Sequence, residues 1–213
     1  VQTLEEFEAH VSTWTLKFDR LRDRMAERAR LPLMRLVYEN YWQNRGEAPN
    51  LEQFADVFWK ACQEANVADY LERGVRARCK RALPSLVRET HLALLLESAF
   101  EGQAQVVSSV ELDTQKKTDF LIESLSCPVA IRLHTYTNTR RAHEFAAMEK
   151  KTPLAREDSD LLVSDYRLTI NRESGRVLPN DFWVYSAEQV QEVVDYLKEC
   201  EHSYRCEQNQ EEE

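Results

Sequence analysis

Four side chains in the middle of the chain are of the types that handle phosphate esters: Asp119 and Glu123 in KKTDFLIES, and Arg132 and His134 in PVAIRLHTYT. Both runs read as strands. A strand sends alternate side chains to opposite faces, so Asp119, Leu121 and Glu123 share a face of the first run, and Arg132, His134 and Tyr136 share one of the second. If the two runs are neighbours, acid, guanidinium and imidazole converge on one side of a sheet. Carboxylates there hold a hard divalent metal, and a nearby cation or histidine steadies the charge on a phosphate. A blander arrangement uses the same residues, with Asp119 and Glu123 paired to Arg132 and Lys117 in a polar sheet face, because ion-pair networks imitate sites. His134 on a strand is more often a hydrogen-bonded structural residue; beside Asp119 it would orient water or stabilise a leaving group.

The elements that must position these groups follow from the change of pattern near residue 105. Val106–Leu112 alternates as a strand, DTQKKT is a turn, and Asp119–Leu125 and Pro128–Thr137 are the second and third strands. Asn138 caps a helix running through Ala142–Lys151, with Pro153 beyond it. Its opening, Asn138-Thr139-Arg140-Arg141, would aim a helix N-terminus and two arginines at a phosphate, or else is a solvated face. Leu161–Ile170 and Phe182–Tyr185 are later strands. Ser186 and Gln189 form a capping box before the last helix.

The first half reads as helices. Leu4, Phe7, Val11, Trp14, Phe18, Leu21 and Met25 are spaced by threes and fours, predicting one long helix. Its stripe packs on its own domain or forms a seam with a second copy or a partner protein. Leu33–Trp42 is a second amphipathic helix. Asn50 and Gln53 form a capping box for a third, with Leu51, Phe54, Val57, Phe58 and Ala61 as its apolar stripe. Another covers Val67–Ala82 and breaks at Pro84, and Ser85 starts a leucine-rich helix through Phe100. The expected fold class is α+β: a helical N-terminal region over 1–84, a mixed-sheet domain over 85–200, and a solvated acidic tail over 201–213.

A helix, a strand, Asp at the head of the next strand, a strand with polar alternate positions and then a basic helix resemble the core of the PD-(D/E)xK restriction-endonuclease-like superfamily, over about residues 85–200. The resemblance implies a restriction-endonuclease-like fold and Mg²⁺-dependent cleavage of DNA, with bacterial defence as the setting by analogy. It implies a Glu from the first core helix, matched by Glu89 or Glu97, and a first metal ligand at Asp119. The family's acidic-x-Lys pair falls at Arg132-Leu133-His134, so the acidic ligand has become Arg and the lysine His. Glu123 or Glu111 would have to take over as the second ligand, since Mg²⁺ wants several oxygens. On this reading Asp119, Glu123 and Glu97 hold the metal, Arg132 and His134 serve the chemistry, and Lys117, Arg140 and Arg141 hold the nucleic acid. The alternative is a catalytically inactive module that docks a protein partner.

Composition narrows the classes. The 213 residues carry a formal net charge of -9, which argues against indiscriminate nucleic-acid binding but allows a local basic groove. The run Arg73–Arg88 has no interleaved aromatics for stacking bases, yet could track a duplex backbone. Five cysteines without a C-x-x-C pair fit free thiols in a reducing cytoplasm and support neither a zinc site nor a disulfide framework. No apolar run is long enough to span a bilayer. No Walker A or dinucleotide glycine pattern occurs.

Overall fold

The computed structural model describes residues 2–17, 21–109, 111–112, 118–137, 155–156, 161–171 and 173–211. It is a mixed α/β protein, with helices in the first half and a mixed sheet in the second. The chain forms two compact units, one of Val1–His91 with Val177–Phe182, the other of Leu92–Arg176 with Trp183–Glu213. Among the described residues no helix is long and apolar enough to cross a membrane.

In the first unit, α1 (Leu4–Ser12) opens on a capping box between Thr3 and Glu6. The long helix expected through Met25 stops at Ser12. Thr13 and Thr15 are poor helix formers, and Asp23 starts a separate α2 (Arg24–Arg28) by accepting from the Met25 and Ala26 amides. The apolar stripe is therefore divided between separate elements rather than carried by one helix. Phe7, Val11 and Trp14 are buried within this unit, whereas Met25 is 59% exposed. Phe18 lies outside the described residues.

Helix α3 (Met34–Arg45) ends at Gly46, whose φ of 71° supplies the left-handed cap. Helix α4 (Leu51–Glu64) starts on the Asn50–Gln53 capping box as its sequence predicts. It buries Leu51, Phe54, Ala55, Phe58, Trp59 and Cys62. Tyr38 meets Phe54 edge-on at 5.8 Å, and Phe7 meets Trp42 likewise at 5.6 Å.

Pro84 does not break the next helix. Helix α5 runs over Glu72–Ala99 with the proline inside it. The reason is packing: Val75, Cys79, Leu83, Val87 and His91 recur every fourth residue and are all fully buried. One missing backbone bond costs about 3 kcal/mol, and this stripe, continuous on both sides of the proline, outweighs it. The arginine-rich face is engaged internally: Arg76 pairs with Asp56 and Glu72, Lys80 with Glu52, Arg81 with Glu27, and Arg78 donates to the Ala26 and Glu27 carbonyls. Charges expected to be available for a duplex backbone are largely neutralised by the unit's own acids.

In the second unit the strands are β1 (Ala104–Val107), β2 (Phe120–Ser124), β3 (Val129–Thr137), the two-residue β4 (Ala155–Arg156) and β5 (Leu162–Ile170), in sheet order β1-β2-β3-β5-β4. β1, β2 and β3 are successively antiparallel, and β3 and β5 are parallel. β6 (Arg176–Val177) and β7 (Trp183–Val184) follow. Helix α6 (Ala187–Glu211) comes after β7. Its start is the Ser186–Gln189 capping box, and Gln189 Nε2 also donates to the Thr169 carbonyl.

One face of this sheet is apolar. Phe120, Ile122, Val129, Ile131, Leu133, Leu168 and Ile170 pack with Leu92 and Leu96 of α5, with Phe100 just after it, and with Val190, Val193, Leu197 and Cys200 of α6. The segment expected as a solvated acidic tail continues α6 as helix, because Tyr204 packs against this core and Glu201 accepts from Ser124 and Ser126.

Candidate functional site

The opposite sheet face carries the polar groups. In β3, Ile131, Leu133 and Thr135 share one face, so Arg132, His134 and Tyr136 share the other. The parallel register sets Arg132 beside Asp165 and His134 beside Arg167 of β5. Register between parallel strands thus creates a cluster that no single strand contains.

Asp165 is its centre. Its Oδ1 accepts from Arg132 Nε at 2.9 Å and lies 3.0 Å from His134 Nε2, while Arg132 Nη2 lies 3.4 Å from Oδ2. An ionised carboxylate only accepts, so His134 carries its proton on Nε2. The side chains are 28% (Arg132), 17% (His134) and 20% (Asp165) exposed, so water screens them only in part. Burial pushes the Asp165 carboxyl upward, but the hydrogen bonds and charges of His134 and Arg132 outweigh it and hold the group below the usual carboxylate range. Arg132, nominated from sequence as a phosphate holder, is neutralised by this acid.

Asp119 precedes β2, and its role here is local. Its amide donates to the Leu133 carbonyl, and its Oδ2 accepts from the Thr135 amide at 2.5 Å and the Thr135 hydroxyl at 2.9 Å. The carboxylate extends the β2–β3 pairing by one residue, beyond the last ladder partners Phe120 and Leu133. Glu123 lies opposite Ala130 on one side and Gln105 on the other, and is partly buried. Glu97 is exposed on α5. Glu89 is in the first unit, 3.8 Å from Arg35. Lys117, Arg140 and Arg141 lie outside the described residues.

The expected convergence is therefore built differently. Arg132 and His134 do come together, but the acid that joins them is Asp165, a residue the sequence reading passed over. Its signal was present in SDYRLT, where Asp165, Arg167 and Thr169 alternate as Arg132, His134 and Tyr136 do; only the partner strand was missing. Among the described residues, no group of three or more His, Cys, Asp and Glu side chains is placed to hold a metal ion. Mg²⁺ needs several oxygens at one point. Asp165 bonds to Arg132 and His134 and Asp119 bonds to Thr135, and the described residues bring no such group of ligands together.

The apolar face has its own polar anchors to α6. Tyr166 OH donates to Glu192 Oε2 at 3.0 Å, and the Ser164 and Tyr196 hydroxyls bond to each other. These contacts hold β5, and with it Asp165, against the helix.

Comparison with protein-family models, with curated proteins and with solved structures finds no match for this chain.

Proposed function

We propose that the second unit is a non-catalytic interaction module on a restriction-endonuclease-like scaffold, docking a partner protein rather than cleaving DNA. The observation that carries this reading is the Arg132–Asp165–His134 cluster. A cation and an imidazole positioned for phosphate chemistry would face a substrate; here both turn to one carboxylate of the same sheet. Asp119, the residue matched to the first metal ligand, is likewise bonded to the chain itself. The acidic balance of the protein, formally -9, fits a protein partner better than a polyanion.

The test is incubation of the purified protein with plasmid DNA and Mg²⁺ or Mn²⁺. The reading expects no cleavage and no salt-sensitive DNA binding. Cleavage that disappears in Asp119→Ala would overturn it.

One observation favours the nuclease alternative. The order helix, strand, Asp119, polar strand runs α5, β1, β2, β3, as the resemblance has it. On that reading Asp119, Glu123 and Glu97 serve the metal, His134 stands where the family has lysine, and Arg132, Lys117, Arg140 and Arg141 serve the DNA. The same plasmid assay decides between the two.

A further inference from the structure

Helix α3 has two apolar faces, and the core uses only one. Tyr38 and Trp42 turn inward, where their rings meet Phe54 and Phe7. Leu33, Leu36, Val37 and Tyr41 recur at three- and four-residue spacings along a second face. Leu33, at the helix N-cap, is 51% exposed, and Leu36 is 46% exposed. A surface helix needs one apolar stripe to join its own domain. A second stripe, left uncovered, marks a contact with another molecule.

That second face borders a groove. Val37 and Tyr41 of α3 and Val57 and Ala61 of α4, all half-buried, line an open cavity of about 350 Å³ in the first unit. Helix α3 offers it about 18 Å of length, just over three turns. An apolar groove between two helices takes the apolar side of a third, with anchors at i, i+3 or i+4 and i+7.

The charges around the groove choose the partner. Arg45 of α3 and Lys60 of α4 line it, and neither makes an ion pair or a side-chain hydrogen bond among the described residues. Other cations of the unit are held by its own acids, as Arg35, Arg76, Lys80 and Arg81 are. One acid, Glu64, shares the lining and pairs with neither cation. Two cations against one acid leave the groove net positive, in a chain whose formal charge is -9. The complementary surface is apolar in the middle and acidic at its edges.

We propose that the α3–α4 groove docks an amphipathic helix of a partner protein, whose apolar stripe covers Val37, Tyr41, Val57 and Ala61 and whose flanking acids meet Arg45 and Lys60. The inference concerns the first unit and is independent of what the sheet face of the second does.

Two synthetic peptides of about 18 residues, long enough to populate helix, test it. Both carry a leucine stripe at three- and four-residue spacings; one has glutamates on its flanks, the other lysines. Fluorescence anisotropy with the full chain reads binding. The overall charge of the protein attracts the lysine peptide, whereas the groove should bind the glutamate peptide about tenfold more tightly. Arg45→Glu combined with Lys60→Glu should weaken that binding about tenfold, and Leu36→Glu should do the same. Serines in place of the probe's leucines should abolish it. All three protein positions are exposed, so far-UV circular dichroism of the variants should match wild type. Tighter binding of the lysine peptide, no binding of either peptide, binding that survives the charge reversals, or an unimpaired serine probe would each overturn the proposal. Light scattering of the full chain should give a monomer; a dimer that Leu36→Glu dissociates would assign the face to a second copy and overturn it as well.

Discussion

Arg132 and Asp165 face each other across the parallel β3–β5 pair, with Nε 2.9 Å from Oδ1, and this contact offsets the Arg132 charge with a carboxylate of the neighbouring strand. The pairing depends on register. A slip of β5 by one residue would turn Asp165 into the apolar core and bring Tyr166 out.

The first prediction concerns acid. Asp165 has a depressed folded pKa, so the stability it contributes is present above the unfolded value, near 3.9, and is lost as pH falls through the lower folded value. Urea unfolding of wild type should weaken below about pH 4. Asp165→Asn should lose that part of the acid dependence and should be less stable at pH 7 by about 1–3 kcal/mol, because Arg132 and His134 lose an ionised acceptor. An unchanged acid limb in the variant would show that the cluster contributes nothing.

His91 behaves in the opposite region of the scale. Its ring is fully buried in the first unit, with Nε2 2.9 Å from Glu8 Oε1, and burial pushes its pKa down to about 4. Neutral His91 donates from Nε2 to the carboxylate, and Nδ1 is left as an unprotonated nitrogen with no hydrogen-bond partner among the described residues. Between pH 6.5 and about 4 the unfolded chain takes up a proton that the folded chain refuses. Stability should fall by about 3 kcal/mol as pH drops through that window, then level off. Equilibrium unfolding of His91→Gln should show a flatter profile over the same range.

Gly74 should resist every replacement. A Cβ there would lie 2.6 Å from Ala26 Cβ and 2.7 Å from Asp23 Cβ, where α5 passes α2. In an exposed helix Gly→Ala gains up to about 1 kcal/mol. Here overpacking should reverse the sign, and Gly74→Ala should destabilise by about 1–3 kcal/mol in urea titration. Adding Ala26→Gly should restore part of the loss; a stable single variant would mean that the helices separate easily.

Asp119 and Thr135 should behave as one unit. Removing the carboxylate leaves a partly buried amide and hydroxyl without that acceptor, so Asp119→Ala should cost about 1–2 kcal/mol. A double-mutant cycle with Thr135→Val should return a coupling energy of about 0.5 kcal/mol or more. Additive effects would assign Asp119 to something other than closing the β2–β3 pair.

Much of the architecture was legible in the chain itself, for local reasons. Asn50 with Gln53 and Ser186 with Gln189 announce helix starts because the capping bonds form between near neighbours. The alternation in DFLIES and VAIRLHTYT tells which side chains share a face because strand geometry permits little else. Where two local signals conflicted, the apolar pattern alone could not say which would win. Packing carried α5 through Pro84, whereas at Ser12 the threonines and the Asp23 cap prevailed over the apolar seam.

Long-range partners belong to the tertiary structure alone. The alternation of β3 put Arg132 and His134 on one face, but nothing in that strand says which acid meets them. A parallel neighbour brought Asp165 there from 33 residues away. The basic run of α5 looked available until the fold set Asp56, Glu52 and Glu27 against it. Charge is a property that a sequence states residue by residue; whether a charge is available to a ligand depends on which distant residue has already neutralised it, and that is decided by the folded chain.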